Sequence, residues 1–255
     1  MENQNIRRQA ALLIAGIMAG FLIGRISASN EPTSDVKQKL QPVQTAGTQE
    51  KGRAIPVIKQ KSFDIVTNVS ADDDPYIGSP DAPLTIVEFT DFQCSYCRKY
   101  FLGSFSRLKE DYIDKNRVRY VVRDFPLGEH PQSLPAAEAA ECAGEQNKYW
   151  QMHDMLFINQ DKWSYRDNAE DIFMDFAGQI QLDKNAFSYC LETGRFRQEI
   201  AKDVSDAELY KVVSTPTIFI GGKKVIGAQS YETFRSIIED ELKNLWQTQE
   251  TQHAA

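Results

Sequence analysis

Histidine is scarce in this chain, three in 255 residues, and lysine and arginine form no cluster. The first scarcity leaves no imidazole set for a zinc or copper site. The second, with a formal net charge of −7, removes the basic surface that nucleic-acid phosphates demand, so nucleic acid is excluded as a partner. No Ser-His-Asp or Cys-His hydrolase motif is present, nor any internal repeat. Long apolar runs are missing except for one at the N-terminus, and cysteine occurs only four times. What is present is 42% hydrophobic residues, enough for a core, and two cysteines set three positions apart.

Those two form Cys94-Ser95-Tyr96-Cys97, which follows the apolar run Leu84-Thr85-Ile86-Val87-Glu88-Phe89. Thiols so spaced at a helix start can close a disulfide and open it again, which is redox chemistry. A four-residue loop closed there is strained and reducible, so turnover is expected over a fixed bridge.

The single long apolar run, residues 10–24, is preceded by Arg7 and Arg8 and closed by Arg25. It reads as a membrane-targeting segment spanning residues 1–26. Either it is the apolar core of a signal peptide, with Ile26-Ser27-Ala28 as a poor cleavage site, or it stays as an anchor through residues 10–26. Arg7 and Arg8 hold the N-terminus in the cytoplasm, so the bulk of the chain is exported. Gly16, Gly20 and Gly24 share one helix face, where a homodimer contact could form, although glycine is common in membrane segments. Residues 27–60 are too polar to order themselves and read as a flexible linker. The folded domain is expected over 61–247, with a disordered tail at 248–255.

Within that domain, residues 84–89 read as a strand buried on both faces, broken only by Glu88. A helix follows from Cys94, and residues 118–125 form a second strand, completing a strand-helix-strand unit with parallel strands. From 131 to 210 strand signals give way to short amphipathic stretches at 135–146, 149–157, 169–180, 184–192 and 197–211. Residues 217–220 and 223–226 flank Gly221-Gly222, a hairpin signature. Ser230 caps a last helix with the apolar stripe Phe234, Ile237, Ile238, Leu242 and Leu245.

Phe92-Gln93-Cys94-Ser95-Tyr96-Cys97 after a buried strand, the helical block, and Ser214-Thr215-Pro216-Thr217 opening the hairpin together resemble a DsbA-like member of the thioredoxin superfamily. Phe125-Pro126-Leu127, His130-Pro131 and Ala139-Ala140-Glu141-Cys142-Ala143 resemble its bacterial branch. The resemblance covers roughly residues 74–246. It implies an α/β thioredoxin fold with a helical insertion between the βαβ unit and the C-terminal ββα unit. It also implies a cis Thr215-Pro216 bond facing Cys94, with the Thr215 backbone free to pair with an extended substrate strand.

Residue roles follow from chemistry and from that resemblance. Cys94, at a helix N-terminus, is expected to hold a stabilised thiolate and act as nucleophile, with Cys97 resolving the mixed disulfide. Glu88 either lies buried, protonated or hydrated with its pKa raised, or faces solvent at an edge. By resemblance a buried Glu88 accepts and returns the Cys97 proton. Cys142 and Cys190 form a structural disulfide or remain two buried thiols. His130 and His153 read as a turn and a helix residue.

The expected activity is extracytoplasmic thiol-disulfide exchange. The protein acts as an oxidant on exported cysteine-containing proteins, needs no cofactor, and is recycled by a membrane redox partner in the bacterial envelope or periplasm. The alternative of the same fold is a reductase or isomerase: Thr215 before Pro216 and Tyr96 resemble the isomerase branch, whereas an insertion without a dimerisation domain resembles the oxidase branch. A copper-delivery module is the alternative of another class, although copper chaperones of similar fold space their cysteines differently.

Overall fold

The protein is described by a computed structural model over residues 69–253. The expected targeting segment 1–26 with Gly16, Gly20 and Gly24, the expected linker 27–60, residues 61–68 and residues 254–255 lie outside the described residues.

Two strands form where apolar side chains continue without alternation. β2 (Leu84–Thr90) and β3 (Val118–Asp124) pair in parallel, Leu84 opposite Val118 and Glu88 opposite Val122. Both are buried on both faces, as such runs require. A two-residue strand, β1 (Tyr76–Ile77), adds antiparallel to β3 at one edge. On the other side β4 (Thr217–Ile220) runs antiparallel to β2, and the hairpin partner β5 (Lys223–Ile226) closes the edge. The sheet order is β1-β3-β2-β4-β5, which makes β2 central. Gly221 and Gly222 take φ of 54° and 83°, the left-handed pair that a two-residue hairpin turn needs.

Between β2 and β3 the helical crossover is not uniform. It starts as α1 (Ser95–Tyr100), passes through a π-helical stretch, Phe101–Phe105, and α2 (Ser106–Leu108), and ends in a second π-helical stretch, Lys109–Ile113. The insertion then contributes α3 (Ser133–Gly144), α4 (Tyr149–Ile158), α5 (Gln160–Trp163), α6 (Ala169–Gln179), α7 (Lys184–Glu192) and α8 (Arg197–Leu209). The last helix, α9 (Tyr231–His253), begins where the Ser230 hydroxyl accepts the Thr233 N–H. It runs through residues 248–253, which corrects the expected disordered tail. No glycine or proline interrupts that stretch, and the Thr248 and Thr251 hydroxyls bond back to the carbonyls of Asn244 and Gln247.

The strand pleat sorts side chains between two cores. Ile86, Tyr120, Val122, Ile218 and Ile220 face the larger core, shared with α1, α9 and most of the insertion. Val87, Phe89, Val121 and Phe219 face the smaller one with Ala207 of α8 and Val212.

Beside the smaller core Arg123 is wholly buried, with its guanidinium on Asp74 at 2.9 Å, Asp203 at 2.5 Å and Asp206 at 2.7 Å. Burial and the charge of Asp203 push the Asp74 carboxyl up to about 9 against the pull of Arg123. The segment ahead of β1 is thereby pinned to α8 through a residue of β3. Among the described residues no helix is long and apolar enough to cross a membrane.

Candidate active site

β2 ends at Thr90 and α1 begins after Cys94, so residues 91–94 form the turn that presents the thiols. Asp91 builds that turn. Its carbonyl accepts the Cys94 N–H at 3.0 Å. Its carboxylate accepts the Gln93 N–H at 2.7 Å, the Ser133 hydroxyl at 2.5 Å and the Leu127 N–H at 3.0 Å, and lies 2.6 Å from His130 Nδ1. A buried carboxylate so bonded locks the turn to the loop after β3 and to the start of α3. Gln93 adds a second tie, its Oε1 accepting the Gln132 N–H at 2.7 Å.

Cys94 is the extended N-cap of α1, 6% exposed, and no side chain caps the helix there. Its Sγ–H reaches the Thr215 carbonyl at 3.5 Å, and the Thr215-Pro216 bond that follows is cis. A hydrogen bond from Cys97 is the main influence lowering the Cys94 thiol, to about 6; burial opposes it, while the Thr215 side chain and the N–H groups of Cys97 and Tyr96 assist. Cys97 is fully buried, and that burial pushes its thiol well above the ordinary value, reinforced by its hydrogen bond to Cys94 and by the charges of Cys94 and Glu88. Both cysteines are free thiols, so the structure holds the reduced pair.

Glu88 occupies the central strand and is buried, 4% exposed, not at a solvent-facing edge. It lies on the sheet face that carries Ile86, towards the larger core. Burial raises its carboxyl to about 7, opposed by the hydrogen bond that the Tyr120 hydroxyl donates at 2.6 Å. The Tyr100 hydroxyl stands 3.0 Å from that of Tyr120, so two phenols from β3 and α1 join the carboxyl in one buried polar group.

Cys142 of α3 and Cys190 of α7 form a disulfide with Cα atoms 5.8 Å apart. His130 does sit in a turn, yet its ring nitrogen contacts Asp91, a partnership that sequence reasoning missed. Asp91, Tyr100 and Tyr120 were missed as well. Asp91 could have been noticed as an acid three residues before a helix N-cap; the tyrosines read as ordinary members of an apolar stripe and strand.

The descriptive model of the thioredoxin family matches residues 70–240. The chain belongs to that family. Within it, a Bacillus cereus protein named probable disulfide bond formation protein D is 30% identical, the match covering 66% of this chain and 78% of that protein. BdbD of Bacillus subtilis, solved in its oxidised form, superposes with a TM-score of 0.65 at 26% identity, covering 71% of this chain and 99% of that one. The α-DsbA1 of Wolbachia pipientis shares the fold, with a TM-score of 0.64 at 24% identity over 69% of this chain and 94% of that one. A Na⁺/H⁺ antiporter NhaA 3 of Salinispora tropica is 34% identical over 74% of this chain, which spans only 28% of that protein's length. The DsbA-like thioredoxin fold with its helical insertion is thereby established.

Proposed function

We propose that the protein is an extracytoplasmic thiol-disulfide oxidoreductase that passes its Cys94–Cys97 disulfide to exported proteins as an oxidant. The observation that carries the reading is Cys94 itself, an N-cap thiol within 3.5 Å of the carbonyl preceding a cis proline. The turn aims a nucleophilic sulfur at a backbone edge where an extended cysteine-containing chain can pair.

A substrate thiolate attacks Cys94 Sγ, the Cys94–Cys97 bond breaks, and Cys97 leaves with the electron pair. Protonated Glu88 gives its proton to the Cys97 thiolate, which its buried surroundings disfavour as an anion. A second substrate thiolate then attacks the substrate sulfur, and Cys94 leaves as the stabilised thiolate. The substrate loses two electrons, the pair gains them, and no cofactor enters.

The same electrostatics supports this direction. Stabilising one thiolate of the reduced pair makes the disulfide more oxidising, and a thiol of low pKa is the better leaving group. The name of the Bacillus cereus relative supports disulfide formation as the sense of the reaction. Residues 10–26 support export and a membrane anchor, Gly16, Gly20 and Gly24 offer a face for a homodimer, and a membrane redox partner would restore the disulfide. Cys142–Cys190 is assigned a structural role.

The deciding experiment is equilibration of the Cys94–Cys97 pair with glutathione. A potential above about −200 mV is expected. One below about −250 mV would overturn the donor reading in favour of a reductase or isomerase. Stoichiometric copper in the purified reduced protein would replace both with a delivery module.

A further inference from the structure

Cys94 has a second set of neighbours, supplied by the insertion. α5 opens at Gln160, a buried residue at 6% exposure, whose Nε2 donates to the Phe92 carbonyl at 2.7 Å and to the Cys94 carbonyl at 3.1 Å. Both partners only accept, so chemistry dictates which end of the amide faces them. The Cys94 carbonyl also accepts the Arg98 N–H at 3.1 Å. Arg98 returns the connection, its Nε donating to the Phe157 carbonyl at 3.0 Å and its Nη2 to the Ile158 carbonyl at 3.2 Å. The first turn of α1 and the α4–α5 junction are thus tied in both directions.

The carbonyls of Phe92 and Cys94 carry the negative ends of their peptide dipoles, and they bracket the two-residue segment Gln93-Cys94 that bears the sulfur that must become an anion. An amide NH₂ placed on both offsets that negative potential with two positive hydrogens, and fixes the peptide plane before Gln93 and the one after Cys94. Buried and away from water, such a contact acts more strongly than it would at the surface.

We propose that Gln160 is a positioning residue for Cys94: by donating to the Phe92 and Cys94 carbonyls, it orients the nucleophile and favours its thiolate over its thiol. The proposal rests on the reading of Cys94 as nucleophile. It makes the insertion, through one side chain, a determinant of redox poise as well as a cover for the sheet.

The test uses the full chain and two replacements. Gln160→Met keeps length and volume and removes both donors. Gln160→Glu keeps the shape and sets a carboxylate against two carbonyls. Thiolate absorbance titrated against pH should show the thiolate fraction in Gln160→Met falling roughly tenfold at pH values below the wild-type midpoint. The glutathione equilibrium should move by the same factor towards the disulfide form, a potential about 30 mV more negative. Gln160→Glu should go further, with its departure from wild type widening as pH rises and its carboxyl ionises.

A merely structural Gln160 would lower the stability of oxidised and reduced forms alike while both readouts stay within about twofold of wild type, and that result overturns the proposal. If wild-type protein does not exchange with glutathione, the functional reading fails by itself, and the thiolate titration still judges Gln160. Should neither variant fold, the Gln160 side-chain amide resonances of the wild type must titrate with the Cys94 thiol. Flat shifts through that titration overturn the proposal too.

Discussion

Cys94 and Cys97 are chemically identical thiols on one helical turn, and their surroundings drive them apart. In the reduced protein, iodoacetamide should label Cys94 at a rate that climbs through a midpoint near pH 6 while Cys97 stays unlabelled. Peptide mass mapping across pH checks this, and a midpoint above about pH 8 contradicts the stabilised thiolate. Glu88 is driven up, from 4.5 to about 7, mainly by burial. Below the unfolded pKa both states hold the proton and no penalty arises. Between the two pKa values the unfolded chain ionises while the folded one does not, so the penalty grows as pH rises and levels off above about 7. The stability advantage of Glu88→Gln over wild type should therefore widen by about 2 to 3 kcal/mol between pH 5 and pH 8, read by urea denaturation. The same variant should slow formation of the mixed disulfide, the step in which Cys97 leaves and takes the Glu88 proton, and in the reverse direction its resolution by Cys97. Unchanged rates of both steps across pH would remove Glu88 from the proton path.

At the scale of elements, the insertion is held by one covalent tie. Cys142 and Cys190, 48 residues apart in sequence, link α3 to α7. Replacing both by alanine should cost about 4 kcal/mol of unfolding free energy on the chain-entropy account. A denaturation series of the double variant measures it, with Cys94 alkylation expected at the wild-type rate because the bridge lies between insertion helices. The parts legible beforehand share a physical trait, in that each announces itself within its own stretch of chain. β2 and β3 are doubly buried apolar runs, Gly221-Gly222 permits only a tight turn, and the amphipathic periods of the insertion mark helices. β1 carries no such mark, since Tyr76 and Ile77 are too few for alternation and become a strand only by lying beside Tyr120 and Val121. The π-helical stretches Phe101–Phe105 and Lys109–Ile113 were also invisible, because an apolar stripe tolerates a local change of pitch.

Across the whole molecule, Arg123 joins three separate regions, the lead into β1, the strand β3 and the helix α8. Its buried charge stands among Asp74, Asp203 and Asp206. Truncating one member of such a group strands the others without a counter-charge, which outweighs the desolvation relieved. Arg123→Met should lose about 3 to 5 kcal/mol, with part of the loss recovered on acidification as Asp203, raised by burial and deprived of its counter-charge, takes up a proton, while Asp74 with its carboxyl near 9 already holds one. Chemical denaturation at pH 5 and pH 7.5 provides the check, and an equal loss at both values would contradict the charge-based cause.

A paired thiol behind an apolar strand, a proline opening a hairpin and a helical block between them could all be read from local pattern, and these determined the fold family and the reactive pair. Tertiary structure alone decided which polar atoms share the buried space around that pair. Asp91 meets His130, Glu88 meets Tyr120, and Gln160 reaches the Cys94 carbonyl from 66 residues away. Periodicity reports the face that one element buries, but not the register in which two elements meet. Hydrogen bonds depend on that register to a few tenths of an ångström.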